Sequence, residues 1–322
     1  MLLDNLYFSM NATMPIFLVM VVGYFLKRIG WLKEPSISSI NALVFKVFLP
    51  CLLFNDLRDQ DFVSTWDTSF VIFCFIATIL SIVIAYLLSG TLKDKSDRGE
   101  FIQASYRSAA ATLGIAFMTN IYDNLAMLAL MILASVPLYN IVAVIVLTLT
   151  GNQKSDSNDT NNQYRALLQK TLKGIITNPI ILGILVGLVW SLLRLPLPTI
   201  ISKSVLYMGN VASPLALIGL GASFEIGELK EKIRPILFVL FNKLMLFCLM
   251  FLPVAIFLGY RNEKLVAALI MLGSATTSSS FIMAKNMGHK GIISSSAVMT
   301  TTFLSSFTLT FWLFILRTLG YI

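Results

Sequence analysis

Ten apolar stretches, each about as long as a bilayer's hydrocarbon core is thick, follow one another along this 322-residue chain. They lie at about 13–30, 38–56, 69–90, 101–120, 124–149, 175–193, 203–223, 236–258, 264–284 and 291–317. Backbone groups in lipid have no water to bond, so a spanning segment must be a helix or part of a closed barrel. The alternation of a barrel strand is missing. The expected fold class is therefore an all-α polytopic membrane protein with ten transmembrane helices. Charged residues make up only 12% of the chain, about half the share in soluble domains. The leading MLLDNLYFSMNAT has no basic residue and the first stretch exceeds a signal-peptide core, so it is expected to remain as a span.

The net charge of +8 is a topology signal. With the N-terminus outside, fifteen Lys and Arg fall in inward loops and six on the outer side. That bias orients both termini outward in a cell (inner or plasma) membrane and implies no nucleic-acid partner. Cys51, Cys74 and Cys248 fall inside spans without CxxC spacing, as small buried side chains rather than disulfide, metal or redox groups. No cofactor or metal is expected. His289, the only histidine, is read as an isolated loop residue.

The polar run GNQKSDSNDTNNQYR, 151–165, divides the chain. The expected organisation is a first five-helix repeat over 1–150, a cytosolic linker over 151–170 and a second repeat over 171–322. The halves resemble each other: MPIFLVMVVG (14–23) and NPIILGILVG (178–187) match at a shift of 164 residues, which also sets Pro50 on Pro214. An odd number of spans per half inverts the second, giving a 5+5 inverted repeat, and secondary transporters bind cargo between such repeats at the midplane.

At the same shift, GSATTSSSF (273–281) in the ninth span falls on RSAAATLGIAF (107–117) in the fourth. Six hydroxyls in nine residues are costly in hydrocarbon unless they meet polar partners. One reading is that helices 4 and 9 break and cross, aiming half-helix N-termini at an anion. The other is two unbroken helices whose Ser and Thr bond their own carbonyls. On the first reading the substrate site comprises Arg107, Ser108, Ala110, Thr112, Gly114, Asn140, Ser274, Ala275, Thr276, Thr277, Ser279 and Ser280. Three basic residues, Lys46, Arg107 and Lys243, lie inside spans, and all sixteen acids lie in loops or at span ends. A cationic interior without acids favours an anionic cargo, with Lys46 and Lys243 expected to line an anion vestibule. Pro50 and Pro214 are expected to kink the second span of each half.

GYFLKRIGWL with INALVFKVFLPCLLF, GNVASPLALIGLGASF and SFIMAKNMG resemble the auxin efflux carrier family over essentially the whole chain. This family includes bacterial malate-permease-like carriers and the plant PIN auxin carriers. The resemblance implies broken, crossing helices 4 and 9. It implies a scaffold of helices 1, 2, 6 and 7, often a homodimer, mobile helices 3–5 and 8–10, and elevator-type transport. Where such proteins commonly carry a crossover proline, this chain has Ala116 and Ala275.

The expected function is a secondary transporter, not an enzyme, that carries a small mono- or dicarboxylate of the malate type across the lipid bilayer. Alternatives are an aromatic, auxin-like carboxylate as cargo, a membrane enzyme, or a channel or sensor on the same scaffold. HExxH, GxSxG and aspartate-rich motifs are missing.

Overall fold

The protein is described here by a computed structural model, which covers residues 2–58, 66–110, 113–114, 118, 121–122, 126–151, 177–224 and 232–322, with side chains from residue 14 onward. Helices occupy nearly all of these residues. They are α1 (Leu2–Arg28), α2 (Glu34–Leu43), α3 (Leu49–Arg58), α4 (Thr68–Ser89), α5 (Arg98–Tyr106), α6 (Ala126–Thr150), α7 (Pro179–Leu193), α8 (Thr199–Ser223), α9 (Ile233–Phe241), α10 (Phe247–Phe257), α11 (Asn262–Gly273), α12 (Ser278–Asn286) and α13 (Ile292–Thr318). A π turn, Val44–Phe48, joins α2 to α3, and a second, Asn242–Leu246, joins α9 to α10. Among the described residues, seven continuous or joined helices are long and apolar enough to cross a membrane, and α7 is a shorter apolar helix. The linker at 152–170 lies outside the described residues.

Local chemistry sets the helix ends. Asn178 caps α7, its side-chain oxygen accepting from the amides of Ile180 and Ile181 at 3.0 and 3.4 Å, and Pro179 fills the first helical position. Glu100 accepts from the amides of Gly291 and Ser294 at 2.7 and 3.0 Å, placing a carboxylate at the start of α13. Asp67 caps α4 through the Phe70 amide at 2.9 Å and pairs with Lys264.

Lys264 and the Phe70 amide hold the Asp67 carboxyl below its ordinary 3.8. A lowered folded value means the contribution is present above the ordinary carboxylate range and lost as pH falls through that lowered value. Asp67→Ala should therefore cost ~1 kcal/mol at neutral pH. The deficit should vanish at the acid end of a pH series of thermal melts.

Packing divides the helices into recurring partnerships. α1 lies on α8 and α13, and α3 lies on α7 and α8. α4, α5 and α6 pack together, and α10 and α13 pack on α11. Small residues permit the closest approaches: a Cβ on Gly221 would sit 1.9 Å from the Met20 carbonyl oxygen, and one on Gly23 would sit 2.3 Å from that of Ile218. Pro214 lies inside the uninterrupted α8, so it does not break that helix. Pro50 follows the π turn at the start of α3, and its backbone would meet a Cβ on Gly183 at 2.6 Å.

The span Asn262–Asn286 is the innermost, with 89% of its most apolar window buried against 28–61% in the six others. Its hydroxyl-rich centre therefore faces protein, not lipid.

Candidate functional site

Two stretches of backbone leave the helix inside the bundle. α5 ends at Arg107, which is extended (φ −71°, ψ 143°), and residues 107–109 are non-helical. α11 ends at Ser274 (φ −75°, ψ 165°), and the chain stays extended to Thr277 before α12 begins. The two breaks bond each other. The Ala109 amide donates to the Ala275 carbonyl at 2.8 Å, and the Ser108 and Ser274 hydroxyls meet at 2.5 Å. Ser108 also donates to the Ile270 carbonyl at 3.1 Å, and Thr276 donates to the Ala104 carbonyl at 2.7 Å. The Thr276 amide is taken by the Thr301 hydroxyl at 3.0 Å.

These bonds replace helical ones that the breaks forfeit, so hydroxyls do the work without a proline at Ala275. In α13, Thr302 and Thr310 instead bond the carbonyls four residues back, and Thr301 does so while accepting the Thr276 amide. Both readings of a Ser/Thr-rich span thus occur in this molecule, in neighbouring helices.

Arg107 is 2% exposed. Its guanidinium donates to the Ser279 hydroxyl at 2.7 Å, Asn140 Oδ1 at 2.9 Å, the Met283 sulfur at 2.9 Å and Gln103 Oε1 at 3.4 Å. Asn140 is oriented by its own amide nitrogen donating to the Val136 carbonyl at 2.9 Å. Nε of Arg107 has no partner, and Arg107 forms no ion pair among the described residues. A buried cation whose contacts are all neutral lacks charge compensation.

Beside it lies a cavity of about 60 Å³, lined by Arg107, Ser108, Ala109, Ala110, Tyr139, Asn140 and Thr277–Ser279 on one side. Leu49, Leu52, Leu53 and Asp56 of α3 and Ser213 of α8 line the other. One water needs roughly 10–15 Å³ on this scale, so the cavity has room for several waters or a small polar solute. The first turn of α12 enters from the same side, with no side chain capping its amides. A helix start with open amides beside an uncompensated guanidinium attracts an anion.

The expected site residues therefore divide. Arg107, Ser108, Ala110, Asn140, Thr277 and Ser279 line the cavity. Ser274, Ala275 and Thr276 hold the crossing together, and Ser280 accepts from Gln103 through its carbonyl at 2.8 Å. Gly114 packs against Leu128 and Ile270. Thr112 lies outside the described residues, as does Ala116.

Several expectations need correction. Lys243 opens on no vestibule: it is 0% exposed, and its ammonium donates to the carbonyls of Met271 and Leu272 at 3.2 and 3.1 Å. These are the last carbonyls of α11, which the break leaves without amide donors. Lys46 is exposed on its π turn, away from the Arg107 cavity's lining. His289 is buried, with Nε2 2.9 Å from the Leu147 carbonyl oxygen. Asp56, read as a span-end acid, lines the same cavity as Arg107.

Spanning helices, a broken pair crossing inside the bundle and a polar cavity beside the crossing define a multi-pass membrane transporter. The chain belongs to the auxin efflux carrier family: the family model described as "Membrane transport protein" matches residues 8–313. It is 21% identical over 309 residues to an uncharacterized transporter of Methanothermobacter thermautotrophicus, covering 94% of this chain and 97% of the other. It is 22% identical over 324 residues to a candidate malonate transporter of Rhizobium meliloti, covering 95% of each. Its fold is similar to that of the sodium proton antiporter MjNhaP1 of Methanocaldococcus jannaschii, with a TM-score of 0.63 at 14% identity, covering 97% of this chain and 98% of that one.

Proposed function

We propose that this protein is a secondary carrier of small organic anions, binding a three- or four-carbon mono- or dicarboxylate at the crossing of the two broken helices. The observation that carries the reading is Arg107, buried in the cavity wall among neutral partners and without an ion pair among the described residues. A substrate carboxylate supplies the missing charge. Asn140, Ser279 and the open amides of α12 supply neutral donors and orientation. The relative connected with malonate belongs to this size class. Among the described residues Tyr139 is the one aromatic side chain in the cavity lining.

The elevator mechanism and the 5+5 repeat belong to the same proposal. α1 on α8 and α7 on α3 are equivalent pairs if the halves are related by inversion, and both pairs pack closely. The cavity lies between these helices and the crossing, where one group would slide past the other. On this reading helices 1, 2, 6 and 7 form the scaffold, a homodimer forms through it, and both termini face outward.

Thermal unfolding of the purified full-length protein against a panel of carboxylates tests the binding step. Malonate or a near neighbour should raise the melting temperature, because a ligand that binds only the folded state stabilises it. A panel without effect at any pH, with or without sodium, would refute the reading. Asp56 adds a signed prediction: with its carboxyl ionised, Asp56→Asn removes a like charge from the cavity wall. It should tighten binding roughly 3–10-fold, about 1 kcal/mol, in a calorimetric titration.

A further inference from the structure

The break in the ninth span has two ends, and they meet different groups. The α12 end opens on the Arg107 cavity. The α11 end presents its last carbonyls to Lys243, which projects from the π turn Asn242–Leu246. Carbonyls at a helix C-terminus carry partial negative charge, and at unwound helices in transporters such ends, with freed carbonyls, coordinate the coupling cation. Here two of them, Met271 and Leu272, hold an ammonium at 3.2 and 3.1 Å. Lys243 is fully buried and forms no ion pair among the described residues. Among the described residues its ammonium therefore meets main-chain carbonyls and no acid. The wall around it is fitted: a Cβ on Gly273 would meet the Cys248 sulfur at 2.6 Å, and the Trp312 indole donates to the Leu244 carbonyl at 3.1 Å in the same π turn.

We propose that the Lys243 ammonium is a tethered replacement for a coupling cation: it occupies the carbonyl site at the broken end of α11, so that no free sodium binds there. This inference goes beyond the carrier reading and needs nothing of its cargo. A π turn suits the role, since the extra residue turns one side chain inward at a chosen height. A tethered ammonium there also braces the break, so the anion site at the α12 end would be preformed without sodium.

The test is thermal unfolding of full-length Lys243→Ala in sodium, lithium or choline chloride at equal ionic strength, and with added n-propylammonium, the fragment alanine lacks. Wild type should melt at one temperature in all of them. Lys243→Ala should melt roughly 5–10 °C lower and recover part of that loss with propylammonium, sodium or lithium, but not with choline. Lys243→Met, whose side chain fills the space without charge, should be destabilised and insensitive to propylammonium. No recovery with any small cation, equal recovery with choline, or a methionine variant as stable as wild type would overturn the proposal. Sodium-specific stabilisation of wild type would also overturn it, and that arm stands even if neither variant folds. The carboxylate panel on wild type reads the anion site separately, so the two proposals fail independently.

Discussion

Replacing Arg107 by methionine removes organic-anion binding and leaves the empty protein as stable as before or slightly more stable. The two halves of this result have different causes. Binding is lost because the anion no longer meets a guanidinium in a site that excludes water. Truncating one partner of a buried charge pair costs about 2–5 kcal/mol, so affinity should fall by at least about 30-fold. Stability is kept because, among the described residues, no acid forms an ion pair with the buried Arg107. Exchanging buried charges for well-packed apolar groups is often neutral or stabilising. Methionine suits a wall that already contains Met283. Arg107→Lys keeps the charge but loses the planar fork and should fall between the two. Melting curves with and without saturating carboxylate measure both halves at once. An Arg107→Met protein that still shifts with ligand like wild type removes Arg107 from the site.

The second large effect is at the contact between α1 and α8. Gly221→Leu should cost at least ~3 kcal/mol, at the upper end of overpacking effects. The added Cβ would lie 1.9 Å from the Met20 carbonyl oxygen and 2.7 Å from its carbon, both backbone atoms that no rotamer change can move. The helices must separate or one must bend. Since Gly23 approaches the Ile218 backbone at the same contact, the double variant with Gly23→Leu should lose less than the sum of the singles, because the first substitution already opens the gap. A single variant that melts like wild type would show that α1 and α8 do not pack this way.

Much of this was legible before any coordinates. Apolar runs of bilayer length specify spans because lipid leaves the backbone no alternative to helix. The crossing was one of two readings that the cost of these hydroxyls left open: Ser274 and Ser279 meet the other break, Thr276 meets the Ala104 carbonyl, and Thr277 and Ser280 bond within their own break. Pro50 and Pro214 share a repeat position, yet one follows a π turn and the other sits in an unbroken helix. Depth along a helix placed Lys243 inside the membrane, but depth does not say what a side chain meets. Its partners are main-chain carbonyls, which every sequence has, so nothing marked them. The π turns at 44–48 and 242–246 have no residue signature and rotate whatever follows them. Asp56 was read from its distance to a span end, whereas the cavity reaches it through the side of α3. Gln103 carries no signal in the sequence that sets it apart from other amides. Its 2.8 Å bond to the Ser280 carbonyl joins the fourth span to the ninth.

The most direct test is counterflow in proteoliposomes. Wild-type protein in vesicles loaded with unlabelled malonate should draw labelled malonate inward transiently, with no sodium present, and Arg107→Met should not. If wild-type vesicles accumulate no label with any three- or four-carbon acid, or the Arg107 variant exchanges as fast as wild type, the crossing is not where this protein handles an anion.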